Sequence, residues 1–148
     1  MYHIITTDEF FNCGLPVSDD ITSAEVEFAI DTIEQYVVKD FLTPDTLEGI
    51  LGGETEYESL IPTIKTSMYH LVFAYMLYDR IRLTRYTAVI KDDEYSKDPT
   101  EKDLREVCSL HAEVGIKLLK DVAEGIGKVV QNYRTGKLNG FIFSELIF

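Results

Sequence analysis

The sequence predicts a mainly α fold: a small bundle of about four helices with an extended loop and an extended, apolar C-terminal arm. Three features carry that expectation. Helix-start signals stand at Thr22 and Thr43, apolar residues then recur at three- and four-residue steps, and the last eight residues hold six large apolar side chains. The 148 residues fit one domain of ordinary size. The pattern divides them into an N-terminal arm (1–20), a helical bundle (21–133) and a C-terminal extension (134–148).

Residues 1–20 mix short apolar groups with turn formers (Asn12, Gly14, Pro16, Ser18, Asp19, Asp20) and read as an arm with one short helix around Asp8–Phe11. The first long helix opens at Thr22, where Thr22 and Glu25 have capping-box spacing. Val26, Ile30, Ile33, Val37 and Phe41 then mark a single buried face. Leu42-Thr43-Pro44 ends it. Thr43 caps a short second helix with Pro44 in its first position, and Gly52-Gly53 stops that helix. An acidic loop, Glu54 to Ser59, follows.

The third helix, from about Leu60 to Arg82, is the most apolar. Pro62 is tolerated in its first turn. Ile64, Met68, Leu71, Val72, Tyr75, Tyr78 and Ile81 form a broad stripe, while Tyr69, Phe73 and Met76 cover other faces. A helix that is apolar most of the way round sits among neighbours on several sides. Arg80, Arg82 and Arg85 fall at its C-terminal end, where they complement the helix dipole. Residues 84–99 turn extended at Tyr86-Thr-Ala-Val-Ile90 and then polar through Pro99. Thr100 and Asp103 open a fourth helix through Leu104, Val107, Cys108, His111, Val114, Leu118 and Val122. Gly125 and Gly127 weaken it, with Val129, Val130 and Tyr133 as a continuation. A turn-rich link, Thr135 to Gly140, leads to Phe141-Ile-Phe-Ser-Glu-Leu-Ile-Phe148.

Charge narrows the function classes. The formal net charge is −12, and residues 1–64 hold 14 acids against one base, Lys39. Residues 65–148 hold 12 acids and 13 bases. Binding to phosphate backbones is driven by Lys and Arg, so nucleic acid is not the expected ligand. The acidic half repels a polyanion or faces a basic protein surface. Two widely spaced cysteines suggest a reducing compartment. Met1 to Phe10 carries two acids and no basic segment, which points to synthesis without a secretory signal. The most apolar run, Met68 to Tyr78, is too short to cross a membrane.

No catalytic residues, cofactor or metal are expected. Cys108 and His111 share a helix face, a spacing that suits a thiol–imidazole pair or two metal ligands, with His3, His70 and Cys13 as candidate completions. Both lie on the apolar face, where a buried thiol and a hydrogen-bonded core imidazole are commoner. Asp19-Asp20 and Asp92-Asp93-Glu94 read as solvated loop charges, and no Gly-rich loop has a phosphate-site setting.

The order of features resembles the head–tail connector proteins of tailed bacteriophages, also called adaptor or neck ring proteins, most of all those of crAss-like and other Bacteroidales phages. It spans about residues 17–125: Ile30-x-x-Ile33-x-x-Tyr36, Phe41-Leu-Thr-Pro44 with a short helix, Ile64 to Ile81, the extended Arg85 to Lys91, Glu94-Tyr-Ser96, and the last long helix. The resemblance implies a structural virion protein of the neck, made in the host cytoplasm, forming a twelvefold ring of identical subunits. Its partners would be the portal protein and other neck or tail ring proteins. Genomic DNA would pass through without sequence-specific binding, and no membrane is involved. The expected interface residues are Phe141, Ile142, Phe143, Leu146, Ile147 and Phe148 in the arm, with Arg80, Arg82, Arg85 and Tyr86. The competing reading is a small bacterial adaptor or regulatory module that binds one protein partner through its apolar C-terminus.

Overall fold

The structure is a computed structural model that describes residues 3–17, 21–82 and 101–128, with side chains omitted at 78–82 and 101–104. The chain is mainly helical. Helix α1 (Thr7–Phe11) starts with a capping box between Thr6 and Glu9. The next rod opens as α2 (Ser23–Ile33), where Thr22 and Glu25 form the capping box the sequence signals. Such a cap stabilises a helix by about 1 kcal/mol relative to alanine. The rod widens into a π-helical stretch (Glu34–Val38), in which the N–H of Lys39 returns to the carbonyl of Glu34, and closes with one α turn (Lys39–Phe41). Helix α3 (Pro44–Leu51) has Thr43 as its N-cap and Pro44 in its first turn.

Residues Thr55–Leu60 correct the expectation of an irregular acidic loop, because they form a 3₁₀ helix that leads straight into α4 (Ile61–Arg82). Tyr57 and Leu60 are half-buried against the core, which supplies the anchorage that the acids alone hide. Helix α5 (Glu101–Gly125) completes the bundle. The helix ends at Gly125, and the continuation expected at Val129, Val130 and Tyr133 lies outside the described residues. Gly127 takes a positive φ of 76°, the N–H of Lys128 bonds to the carbonyl of Ala123, and the N–H of Gly127 bonds to that of Glu124. That pair of bonds is the Schellman arrangement, which needs a left-handed residue after the helix. Gly53 ends α3 in the same way, with φ 77° and the N–H of Glu54 on Gly49.

Helices α4 and α5 make the principal contact of the fold. Contacts pair Ser67 and Leu71 with Gly115, His70 with His111, and Ala74 with Cys108, so the two run antiparallel. Small residues line this seam: Ser67, Ala74, Cys108, Ala112 and Gly115 are all buried. Leu71, Val72, Phe73 and Ala74 are consecutive and all fully buried. Four successive positions cover a full helical turn, so α4 is enclosed on every side, as its sequence leads one to expect. Helix α2 packs on α4, α1 packs on α2, and the Lys39–Phe41 turn meets α5.

The segment before α2 is more than an arm. Ile4, Ile5, Phe10 and Val17 all join the main core. Glu34, in the wide turn and only 8% exposed, accepts a 2.6 Å bond from the N–H of Ile4 and a 2.9 Å bond from His3 Nδ1. Lys65 on α4 reaches Glu9 on α1 at 2.6 Å, and this contact holds the Glu9 carboxyl below its usual range. At the other end, Lys128 Nζ donates to the carbonyl of Leu42 at 3.0 Å. An ammonium there satisfies an open carbonyl at the end of the first rod. The end of α5 is thereby fixed beside the end of the α2 rod.

Candidate functional site

The outer face of the α2 rod carries the most exposed aromatic side chains among the described residues. Val26, Ala29, Ile30, Ile33 and Val37 turn inward. Phe28 is 65% exposed and Tyr36 62% exposed. Eight residues separate them, which is about two helical turns, so both lie on one side of the rod. Exposed Glu25, Glu27 and Asp31 flank them. The wide turn contributes to this arrangement. Within it Glu34, Val37 and Val38 face inward and Tyr36 stays outside. A second surface of different character lies on α5, where Leu110 is 59% exposed and Val114 and Leu118 are half-exposed.

Of the interface residues expected from sequence, Arg80 and Arg82 fall in the last turn of α4, where the backbone alone is described. Arg85, Tyr86, Phe141, Ile142, Phe143, Leu146, Ile147 and Phe148 lie outside the described residues, as do the extended loop and the C-terminal arm. Phe28 escaped the sequence reading, although it stands two positions from Val26 and Ile30 and so falls off the buried face. Tyr36 belongs to the Ile30-x-x-Ile33-x-x-Tyr36 pattern, and the structure turns it outward while Ile30 and Ile33 are buried.

The histidines and cysteines occupy several places in the fold. Both cysteines are free thiols. Cys108 Sγ is buried and donates to the Ala74 carbonyl at 3.1 Å. Cys13 packs at the edge of the core, and burial raises its thiol pKa. His3 bonds Glu34. His111 meets His70: their Nδ1 atoms are 2.8 Å apart and their rings are stacked at 5.1 Å with an interplanar angle of 21°. Phe73 meets His111 edge-on at 4.8 Å. In this pair one Nδ1–H donates to the other Nδ1, which requires at least one ring to stay neutral. Among the described residues no three His, Cys, Asp or Glu side chains are grouped to hold a metal ion, and no helix is long and apolar enough to cross a membrane. A groove of about 520 Å³ at the end of α5 is lined by Lys117, Lys120 and Lys128 with Asp121 and Glu124, so neither charge dominates it.

The histidine pair gives the bundle a pH dependence. Burial lowers the pKa of both rings from 6.5, and for His111 the neighbouring His70 adds to the effect. The folded state therefore binds protons less readily than the unfolded chain. The contribution of the pair is complete above the ordinary histidine value and is lost as pH falls below it. Wild type is expected to melt above a His70→Gln/His111→Gln variant at neutral pH. The gap should narrow as pH drops through about 6.5 toward 5. A gap that stays constant in thermal melts would show that the pair does not titrate with folding.

Comparison of the chain with protein-family models, with curated proteins and with solved structures gave no match.

Proposed function

We propose that the chain is a structural virion protein of the phage neck, a subunit of a ring between portal and tail through which DNA passes. One structural observation supports this reading beyond the order of helices. A ring of identical subunits closes through head-to-tail contacts, so each subunit must offer two unlike surfaces. The α2 rod offers Phe28 and Tyr36 among carboxylates, and α5 offers the aliphatic Leu110, Val114 and Leu118. The carboxylates of residues 1–64 also suit a conduit to which DNA must not adhere.

Negative-stain microscopy of the purified protein, with and without a portal, tests the proposal. Rings or decorated portals are expected. Neutralising Arg80, Arg82 and Arg85 together should weaken that assembly and leave the melting temperature of the monomer unchanged. Isolated monomers that ignore the portal would remove the neck reading and favour a single-partner adaptor.

A further inference from the structure

The outward stripe of α2 lies next to the point where the described chain ends. The Lys128–Leu42 contact places residue 128 at the C-terminal end of the rod. From Leu42, Tyr36 is about 9 Å and Phe28 about 21 Å back along the rod, at 1.5 Å per residue. Residues 129–140 can span about 40 Å when extended, so Phe141 and the residues after it come within reach of both. The charges match as well. Residues 129–140 contain Arg134 and Lys137 and no acid. The stripe is flanked by Glu25, Glu27 and Asp31, and the one base of the rod is Lys39. The segment beyond the linker, Phe141 to Phe148, carries three phenylalanines, two isoleucines and a leucine, which match two exposed aromatic rings.

We infer that in the free subunit residues 141–148 dock in cis along the outer face of α2, over Phe28 and Tyr36, with Arg134 and Lys137 facing its carboxylates. A tether of this length gives an effective concentration of roughly millimolar. At micromolar protein the segment of the same chain therefore outcompetes that of any other molecule. Docking shields an apolar segment that would otherwise promote aggregation. The same stripe then serves as an internal competitor for any external partner of residues 141–148. The inference concerns the monomer and does not depend on ring formation.

The chain contains no tryptophan, so Phe143→Trp in the full-length protein provides a single reporter. The expected result is blue-shifted emission in the monomer, independent of dilution, with sedimentation confirming the monomeric state. Adding Phe28→Asp or Tyr36→Asp should shift the emission to that of a water-exposed indole, while Leu110→Asp on α5 should leave it unchanged. Circular dichroism checks that each variant keeps its helix content, which the exposure of all three side chains favours. Water-like emission in the monomer overturns the inference. So does a blue shift that survives both α2 substitutions, since the segment would then be seated elsewhere. A blue shift that grows only with concentration also overturns it, because docking would then be between molecules. Rings on a portal with water-like emission would leave the neck proposal standing alone, and the converse pair of results would leave the docking standing alone.

Discussion

Deleting residues 1–6 is expected to abolish the cooperative unfolding transition of this protein. The deletion removes Ile4 and Ile5, which are 1% and 0% exposed. Truncating a buried isoleucine to alanine costs about 2–5 kcal/mol, and here two whole residues are lost. It also takes away the Ile4 N–H and the His3 ring, the two groups that bond the carboxylate of Glu34. A carboxylate that is 8% exposed and loses its donors adds roughly 1–3 kcal/mol. Together these terms approach the whole stability of an ordinary domain, about 5–15 kcal/mol. Thermal and urea melts of the truncated and complete chains provide the measurement. A truncated protein that melts within a few degrees of the complete one would show that the segment is a dispensable arm.

The second large effect comes from the seam between α4 and α5. A Cβ on Gly115 would lie 2.8 Å from Leu71 Cδ2 and 3.0 Å from the Ser67 carbonyl oxygen, and closer still to Leu71 Cγ. The carbonyl is backbone and cannot rotate away. Helix propensity alone favours alanine over glycine by about 1 kcal/mol, whereas overpacking a filled interface costs about 1–3 kcal/mol. The two terms have opposite signs, and a branched side chain enlarges only the second. Gly115→Val is expected to destabilise the fold by roughly 3 kcal/mol, about 10 °C in melting temperature for a chain of this size. Gly125, with nothing within 4 Å of its ideal Cβ, is the control. Gly125→Ala should be neutral or stabilising by up to about 1 kcal/mol. Equal melting temperatures for the two variants would mean that the helices are not in close contact at Gly115.

The parts of this fold that were legible in the sequence are those written within a few residues of one another. Thr22 with Glu25, Thr43 with Pro44, and the stop at Gly53 each use neighbours in the same turn, and each is found where the sequence puts it. The enclosed character of α4 was legible because apolar residues occupy nearly every position from Leu71 to Leu77. The wide turn at Glu34–Val38 was not, because its buried carboxylate is satisfied by His3 and Ile4, about thirty residues away. A local pattern has no means of recording such a partner. Ile4 and Ile5 were hidden for a related reason: two apolar residues in an irregular segment show no period to read. The meeting of His70 with His111 depends on the relative offset of two helices, which intrahelical spacing does not encode.

That wide turn also makes the first rod tolerant of changes in chain length. A π turn is a helix that has absorbed one residue more than its regular winding would use. The surplus lies between Ile33 and Lys39, with well-anchored helix on both sides. A gene that lost a single codon there would tighten the winding to an ordinary α-helix while Ile30 and Phe41 kept their places. An equal loss anywhere else along the rod would swing everything beyond it by about 100° around the axis. Variation in the spacing between the rod's two halves is thus confined by geometry to one stretch of five residues, where the loss of a residue other than Glu34 would leave both halves in register with the bundle.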